Sequence, residues 1–323
     1  MRTKLLIVCF LLGVLVLAGC DNGGSDGTTE PSVTTVSVLG NVEVPVSVLD
    51  GWASSIKASF DFSRLTASAY GQSGNLITQS VVRADKSFSL TLPAPDNEVT
   101  LKITSAKGFE MSKLLGAVQS SGVYNVTVDP TSTCQLLLQK EYGLDPDTSS
   151  AAFSTLFTAF VNALTLAPGL TSGTVVDTVK ISNYTTMMAF RTAQDSIKRN
   201  FTWIESALKA KNISETTKYF SPYFTSSDLS LVSVVTFDNF RNTTQDRFNH
   251  FSIDSYTINI DRVLFTNSTT AVAYGNANIA VTGTQDGIKQ YAALPNLSII
   301  WRLESGNWIV YKDFPFLKTQ LGF

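Results

Sequence analysis

The chain has 323 residues, enough for about two domains with sizeable cores. It carries 24 Lys and Arg against 26 Asp and Glu, a formal net charge of −2, and only 15% of its residues are charged. Without a clustered basic stretch it is a poor candidate for nucleic-acid binding, which needs a concentrated positive surface, and its abundance of Ser, Thr and Asn suits an exported, β-rich protein better than a cytosolic enzyme.

The first residues read as a secretory signal: Arg2 and Lys4 as the positive start, Leu5 to Leu17 as the apolar stretch, then small residues before a cysteine. The apolar stretch is short for a membrane span, which needs about 20 residues. Leu17-Ala18-Gly19-Cys20 resembles the lipobox of bacterial lipoproteins. That resemblance implies cleavage after residue 19, a diacylglyceryl group on the Cys20 sulfur and acylation of the new N-terminus. Two or more acyl chains hold a protein stably on a membrane. Asp21, directly after the cysteine, resembles the signal that retains enteric lipoproteins in the inner membrane. Residues 20–32, with Asp21-Asn22-Gly23-Gly24-Ser25-Asp26-Gly27 and closed by Pro31, read as a flexible tether. Loss of Arg2 and Lys4 would leave 22 basic and 26 acidic residues, 22 − 26 = −4. Cys9 would leave with the signal and Cys20 would be modified. Cys134 then stands alone, so no intramolecular disulfide can form and stability must come from cores.

From 33 to 130 the hydrophobic period is two. Val42, Val44, Val46 and Val48 alternate; so do Leu65, Ala67 and Ala69; Phe88, Leu90 and Leu92; Val99, Leu101 and Ile103; and Tyr124, Val126 and Val128. Gly71 to Asn75, Pro93 to Asn97 and Lys107-Gly108 supply turns between them, so an antiparallel sandwich is expected. Gly40-Asn41-Val42, Leu65-Thr66-Ala67, Asp85-Lys86-Ser87-Phe88 and Val99 to Ile103 before Lys107-Gly108-Phe109 resemble the carboxypeptidase regulatory-like, transthyretin-type sandwich. Lys86 stands where that family's turn usually has Gly. The resemblance implies a structural or adhesive module.

From 131 to 190 a helical connector is expected. Thr148-Ser149-Ser150 can cap a helix whose Phe153, Leu156, Phe157, Phe160, Val161 and Leu164 share one face, with Pro168-Gly169 ending it. A peripheral membrane helix is the alternative, but the stretch lacks the Lys and Arg such helices carry. From 191 to 323, Ile197, Phe201, Ile204 and Leu208 make another apolar stripe. Short helices are expected over residues 214–220 and 237–248, and strands over 256–265, 270–283, 298–304 and 307–312. Ser305-Gly306 forms the last hairpin turn. The run Ala207 to Asn212, Lys218 to Pro222 and the closing Trp301-Arg302-Leu303-Glu304-Ser305-Gly306-Asn307-Trp308-Ile309-Val310 resemble the nuclear transport factor two-like superfamily, which includes polyketide cyclase-like and ketosteroid isomerase-like members. The resemblance implies a curved sheet wrapped around helices into a cone, often with an apolar cavity. Such a fold hosts enzymes, binding modules and assembly domains alike.

The chemistry-bearing residues are sparse. His250 is the only histidine and has no partner at ligand or triad spacing; it is expected at a helix end on the surface. Asp238, Asp254 and Asp261 are the carboxylates, and Tyr219, Tyr223 and Tyr256 the phenols, that an isomerase-like cone could use. Strand alternation sets Asp261 on the face opposite Tyr256, Ile258 and Ile260, so Asp261 and Tyr256 are not expected to share a cavity. Solvated acids are the better expectation. Trp203, Tyr223, Phe240, Tyr256 and Trp301 either line a ligand cavity or fill the core. Cys134 lies near Leu136, Leu137 and Leu138 and should be buried and inert. The sequons Asn125-Val126-Thr127 and Asn267-Ser268-Thr269 read as polar surface in a bacterial chain.

The expected protein is mainly β plus α+β: a signal (1–19), tether (20–32), antiparallel β-sandwich (33–130), helical connector (131–190) and cone-shaped α+β curved-sheet domain (191–323). Its expected role is that of a membrane-anchored envelope protein, non-catalytic, without a metal or cofactor, binding another envelope protein or a small apolar ligand. The alternative is an isomerase- or cyclase-like enzyme in the cone.

Overall fold

A computed structural model describes residues 34–56, 60–93, 96–119, 122–170, 172–226 and 235–315. The signal, Cys20 and the tether lie outside these residues. The architecture is the expected one: an antiparallel sandwich, helices, then an α+β unit built on a curved sheet.

The sandwich consists of a three-stranded sheet in the order β4-β1-β7 and a four-stranded sheet in the order β3-β2-β5-β6. Its strands are β1 (Thr35–Val42), β2 (Thr66–Tyr70), β3 (Leu76–Val81), β4 (Ser87–Pro93), β5 (Asp96–Thr104), β6 (Glu110–Val118) and β7 (Val123–Val128). All neighbours are antiparallel except β1 and β7, which run parallel. The alternation read from sequence sets the core: Val36 and Val38, Phe88 to Leu92 at every second position, and Leu101 with Ile103 point inward. Gly40 faces Phe88 across β1 and β4, and a Cβ there would sit 1.9 Å from Phe88 Cζ, so only glycine leaves room for the ring. In the turn before β4, Lys86 takes φ of +71°, the left-handed conformation for which glycine is the usual choice.

The apparent alternation of Val44, Val46 and Val48 is not a strand. Pro45 ends the extended run, and helix α1 (Val46–Ile56) follows. There Val48 and Trp52, four apart, are buried, Val46 is exposed, and Trp52 Nε1 donates to Leu164 O at 2.8 Å. The connector holds more than one helix. Asp129 and Ser132 form a capping box for α2 (Pro130–Leu136), which runs into a π-helical turn, Leu137–Tyr142, closed by Gly143 in the left-handed conformation. Helix α3 (Ala151–Leu166) starts on the expected Ser150 cap and buries Phe153, Leu156, Phe160 and Leu164.

Helix α4 (Val175–Lys209) is 35 residues long and runs through the boundary expected at 190/191 without a break. A capping box of Thr174 and Asp177 starts it. Its first half buries Val175, Val176, Val179 and Met187 in the core shared with the sandwich, and its second half buries Ile197, Phe201, Ile204 and Leu208 in the second core; Phe190 touches both. The stripe that suggested a new helix near 197 is therefore the same rod changing partners.

The second unit contains α5 (Ile213–Thr217), β8 (Phe220–Ser226), β9 (Val235–Thr236), α6 (Phe237–His250), β10 (Phe251–Asn267), β11 (Thr270–Gly283), β12 (Lys289–Glu304) and β13 (Asn307–Lys312), in the sheet order β10-β11-β12-β13-β8-β9. Strand β8, unexpected from sequence, begins at Phe220, where helix was expected. Register shifts at Ile253/Ser255, Ile260/Arg262, Phe265/Asn267 and Gly275/Ala277 bend the long strands. Gly275 lets β10 come close, since a Cβ there would lie 2.0 Å from Asn259 O. Arg262 of β10 pairs with Asp147 at 3.0 Å, and Arg191 Nη1 of α4 donates to Gly143 O at 2.9 Å, tying the connector to β10 and to α4.

Candidate functional site

The interior of the curved sheet is where an isomerase-like site or an apolar cavity would lie. Among the described residues it is occupied by side chains. Phe220 stacks on Phe240 with ring centroids 4.5 Å apart and meets Phe314 edge-on at 4.9 Å; Phe224 and Phe240 are 5.3 Å apart. Deeper along the sheet, Phe201 meets Trp301 edge-on at 4.8 Å and Phe265 meets Trp308 at 5.6 Å. Contacts of this kind are what a packed aromatic core provides.

The five aromatics singled out from sequence do not gather in one place. Phe240, Tyr256 and Trp301 are 2%, 1% and 0% exposed and belong to the core, whereas Trp203 and Tyr223 are 45% and 74% exposed. Trp203 lies on the outside of α4, stacked on Tyr219 at 5.5 Å with the Arg199 guanidinium 5.4 Å from its ring. Tyr223 lies on β8, where Phe220 and Phe224 are buried and Pro222 and Tyr223 are exposed. The three carboxylates considered for catalysis are all exposed: Asp238 in the first turn of α6, Asp254 accepting from Thr282 Oγ1 at 2.6 Å, and Asp261 beside a bulge of β10. His250 is exposed at the end of α6, its Nδ1 2.9 Å from Asp246 O.

Sequence reading missed the polar groups that do reach the interior. Glu205 sits on α4, between the buried Ile204 and Ala207 positions, and its Oε1 accepts the backbone N–H of Ile258 on β10, the edge strand of the sheet. Arg247, two turns from the apolar Phe240 on α6, is buried. Tyr256 donates its hydroxyl to Pro315 O at 3.1 Å. Burial, and secondarily the Glu205 carboxylate, push the Tyr256 phenol far above its usual range, against a smaller opposing pull from Arg247. Tyr256 thus remains a neutral donor committed to the backbone. Thr244 Oγ1, Gln290 Oε1 and Trp301 Nε1 are buried with no hydrogen-bond partner among the described residues. The signals available in sequence were faint: Glu205 stands beside the apolar stripe of α4, and Arg247 between Thr244 and Phe248 on the buried face of α6. Among the described residues, no three His, Cys, Asp or Glu side chains gather to hold a metal ion. Cys134 is buried, and desolvation pushes its thiol well above the usual range.

No protein-family model matches the chain, and no curated protein matches it. Among solved structures it is similar to a conserved protein from Planctomyces limnophilus (12% identity over 36% of this chain and 89% of that one, TM-score 0.34). It is also similar to a ketosteroid isomerase-like protein from Erwinia carotovora atroseptica (14% identity, 37% and 91%, TM-score 0.33). A third is a nuclear transport factor 2 (NTF2-like) superfamily protein from Salmonella enterica serovar Typhimurium (12% identity, 41% and 98%, TM-score 0.32). Each covers a little over a third of this chain.

Proposed function

We propose that this chain is a bacterial cell-envelope lipoprotein, tethered through Cys20, whose folded part is a non-catalytic binding module. The transthyretin-type sandwich serves as a structural or adhesive unit, and the nuclear transport factor two-like unit as a solid scaffold that recognises another envelope protein. The observation that carries the non-catalytic reading is the aromatic packing of Phe220, Phe224, Phe240 and Phe314 in the space where a substrate would sit, with Asp238, Asp254 and Asp261 all outside it. An acid or base must stand within hydrogen-bond reach of its substrate, and these carboxylates have no enclosed space to share with one. The Leu17-Ala18-Gly19-Cys20 motif supports the anchor. A second reading, binding of a small apolar ligand, draws on Thr244 Oγ1 and Trp301 Nε1, buried polar atoms of the kind that fix a ligand's orientation.

The test is mass analysis of the N-terminal peptide of protein isolated from bacterial membranes, beside the Cys20→Ala variant. The proposal expects a peptide that begins at a triply acylated or diacylated Cys20 and a variant released from the membrane fraction. An unmodified Cys20, or a variant that stays membrane-bound, overturns the anchor.

A further inference from the structure

We infer that the cleft between the outer face of β5–β6 and the helices covering it is a binding site for a small zwitterion of the α-amino-acid class. The cleft has a volume of about 290 Å³, near the lower end for small-molecule sites. Its floor is the face of the sheet turned away from the sandwich core. Its far wall is made by α2, by the π-helical turn and by the first turns of α4. Ser112 pins the wall to the floor: its N–H donates to Thr133 Oγ1 at 2.9 Å, and Ser132 Oγ donates to its carbonyl at 3.1 Å.

Two observations single this cleft out. The first is its charge pattern. Three ion pairs lie in one small space: Lys102 with Glu110 at 3.4 Å, Lys140 with Glu98 at 2.5 Å, and Lys180 with Glu141 at 2.8 Å. Asp177 adds a fourth acid, so the lining is mixed, three lysines against four carboxylates. Leu136, Leu137 and Val176 give it an apolar strip. The second is the π-helical turn itself, Leu137–Tyr142, which carries Lys140 and Glu141 into the cleft. Such turns are rare and recur at functional sites.

The chemistry follows from exchange of partners. One member of each pair is at least a third exposed, with side-chain exposures of 42% for Lys102, 40% for Lys140 and 44% for Glu141. Pairs with a partner that exposed add little to stability, so opening one is cheap. Glu110, whose side chain is only 12% exposed, is the deepest carboxylate and the natural receiver of an ammonium group. A ligand carboxylate then takes a released lysine. Because ammonium and carboxylate enter together, ion pairs are exchanged one for one and the net charge of the lining is unchanged. A simple anion or a simple cation would open a pair without replacing the member it displaces.

The test is isothermal titration of the full chain in detergent with L-leucine, against sodium acetate and methylammonium chloride at matched ionic strength. The inference is independent of whether Cys20 is lipidated. It expects saturable 1:1 binding of L-leucine, none of acetate or methylammonium, and at least about tenfold weaker binding in Glu110→Gln, a loss of about 1.4 kcal/mol. Lys102→Met, which removes the lysine that Glu110 releases, should weaken binding similarly and serves if Glu110→Gln does not fold. No saturable heat with L-leucine, equal binding of acetate, or wild-type affinity in Lys102→Met overturns the inference.

Discussion

Replacing Phe240 with alanine separates a filled cone from an open one. Phe240 is 2% exposed and packs against Phe220, Phe224 and Phe314 with centroid separations of 4.5, 5.3 and 6.2 Å. Truncating a fully packed phenylalanine costs about 3–5 kcal/mol through lost transfer energy and the cavity left behind. Its ring pairs add to that, at about 0.5–1.5 kcal/mol each beyond area burial, so the upper half of the range is expected. For a unit of this size, each kcal/mol lowers Tm by about 2–4 °C, giving a fall of roughly 8–20 °C. Urea titration followed by tryptophan fluorescence reads the loss directly, because Trp301 and Trp308 lie in the same core. A loss below about 1 kcal/mol would refute the reasoning, since a ring bordering an empty or hydrated space has little packing to lose.

The remaining predictions use the same assays. Gly40→Ala should lower stability by about 1–3 kcal/mol, because its Cβ meets the Phe88 ring at 1.9 Å; a neutral melt would mean the ring moves freely. Glu205→Ala should cost about 1–3 kcal/mol by leaving the Ile258 N–H of an edge strand unmet, and should speed hydrogen exchange at Ile258 specifically. Burial raises the Cys134 thiol, whereas an unfolded thiol ionises near pH 8.5. The unfolded chain then sheds a proton that the native chain keeps, so stability falls as pH rises above about 8.5, by up to about 1.4 kcal/mol per unit. Cys134→Ala should flatten that slope, and Cys134 should resist thiol reagents until the protein unfolds.

The sandwich strands were legible because one buried face imposes a period of two: Phe88, Leu90, Leu92 and Val99, Leu101, Ile103 have burial that alternates as their sequence does. The same rule misled at Val44 to Val48, where Pro45 starts a helix and the buried residues, Val48 and Trp52, follow a spacing of four. The hairpin at Ser305-Gly306 and the bounds of β11 and β13 match their sequence expectation, because turn residues punctuate them. Helix α4 was read only from Ile197 onward, because its apolar stripe faces one core up to Met187 and another from Ile197, a change that only tertiary packing explains. The interior of the curved sheet was less legible. Exposed and buried aromatics look alike in sequence, so Trp203 and Tyr223 were grouped with Phe240, Tyr256 and Trp301. Glu205, a polar group near the core, is positioned by a contact with Ile258, 53 positions further along the chain, rather than by any local motif. The charged cleft needs three separate segments, 98–112, 133–141 and 176–180, which no spacing rule joins.

The central claim, that the curved sheet encloses a solid core, is tested most directly by a crystal structure of the protein under xenon pressure. Xenon enters dry apolar cavities and stays out of close-packed cores. The account predicts no xenon among Phe240, Tyr256 and Trp301. A xenon atom or a co-purified ligand held between them would contradict it and place a binding cavity where the account places packing.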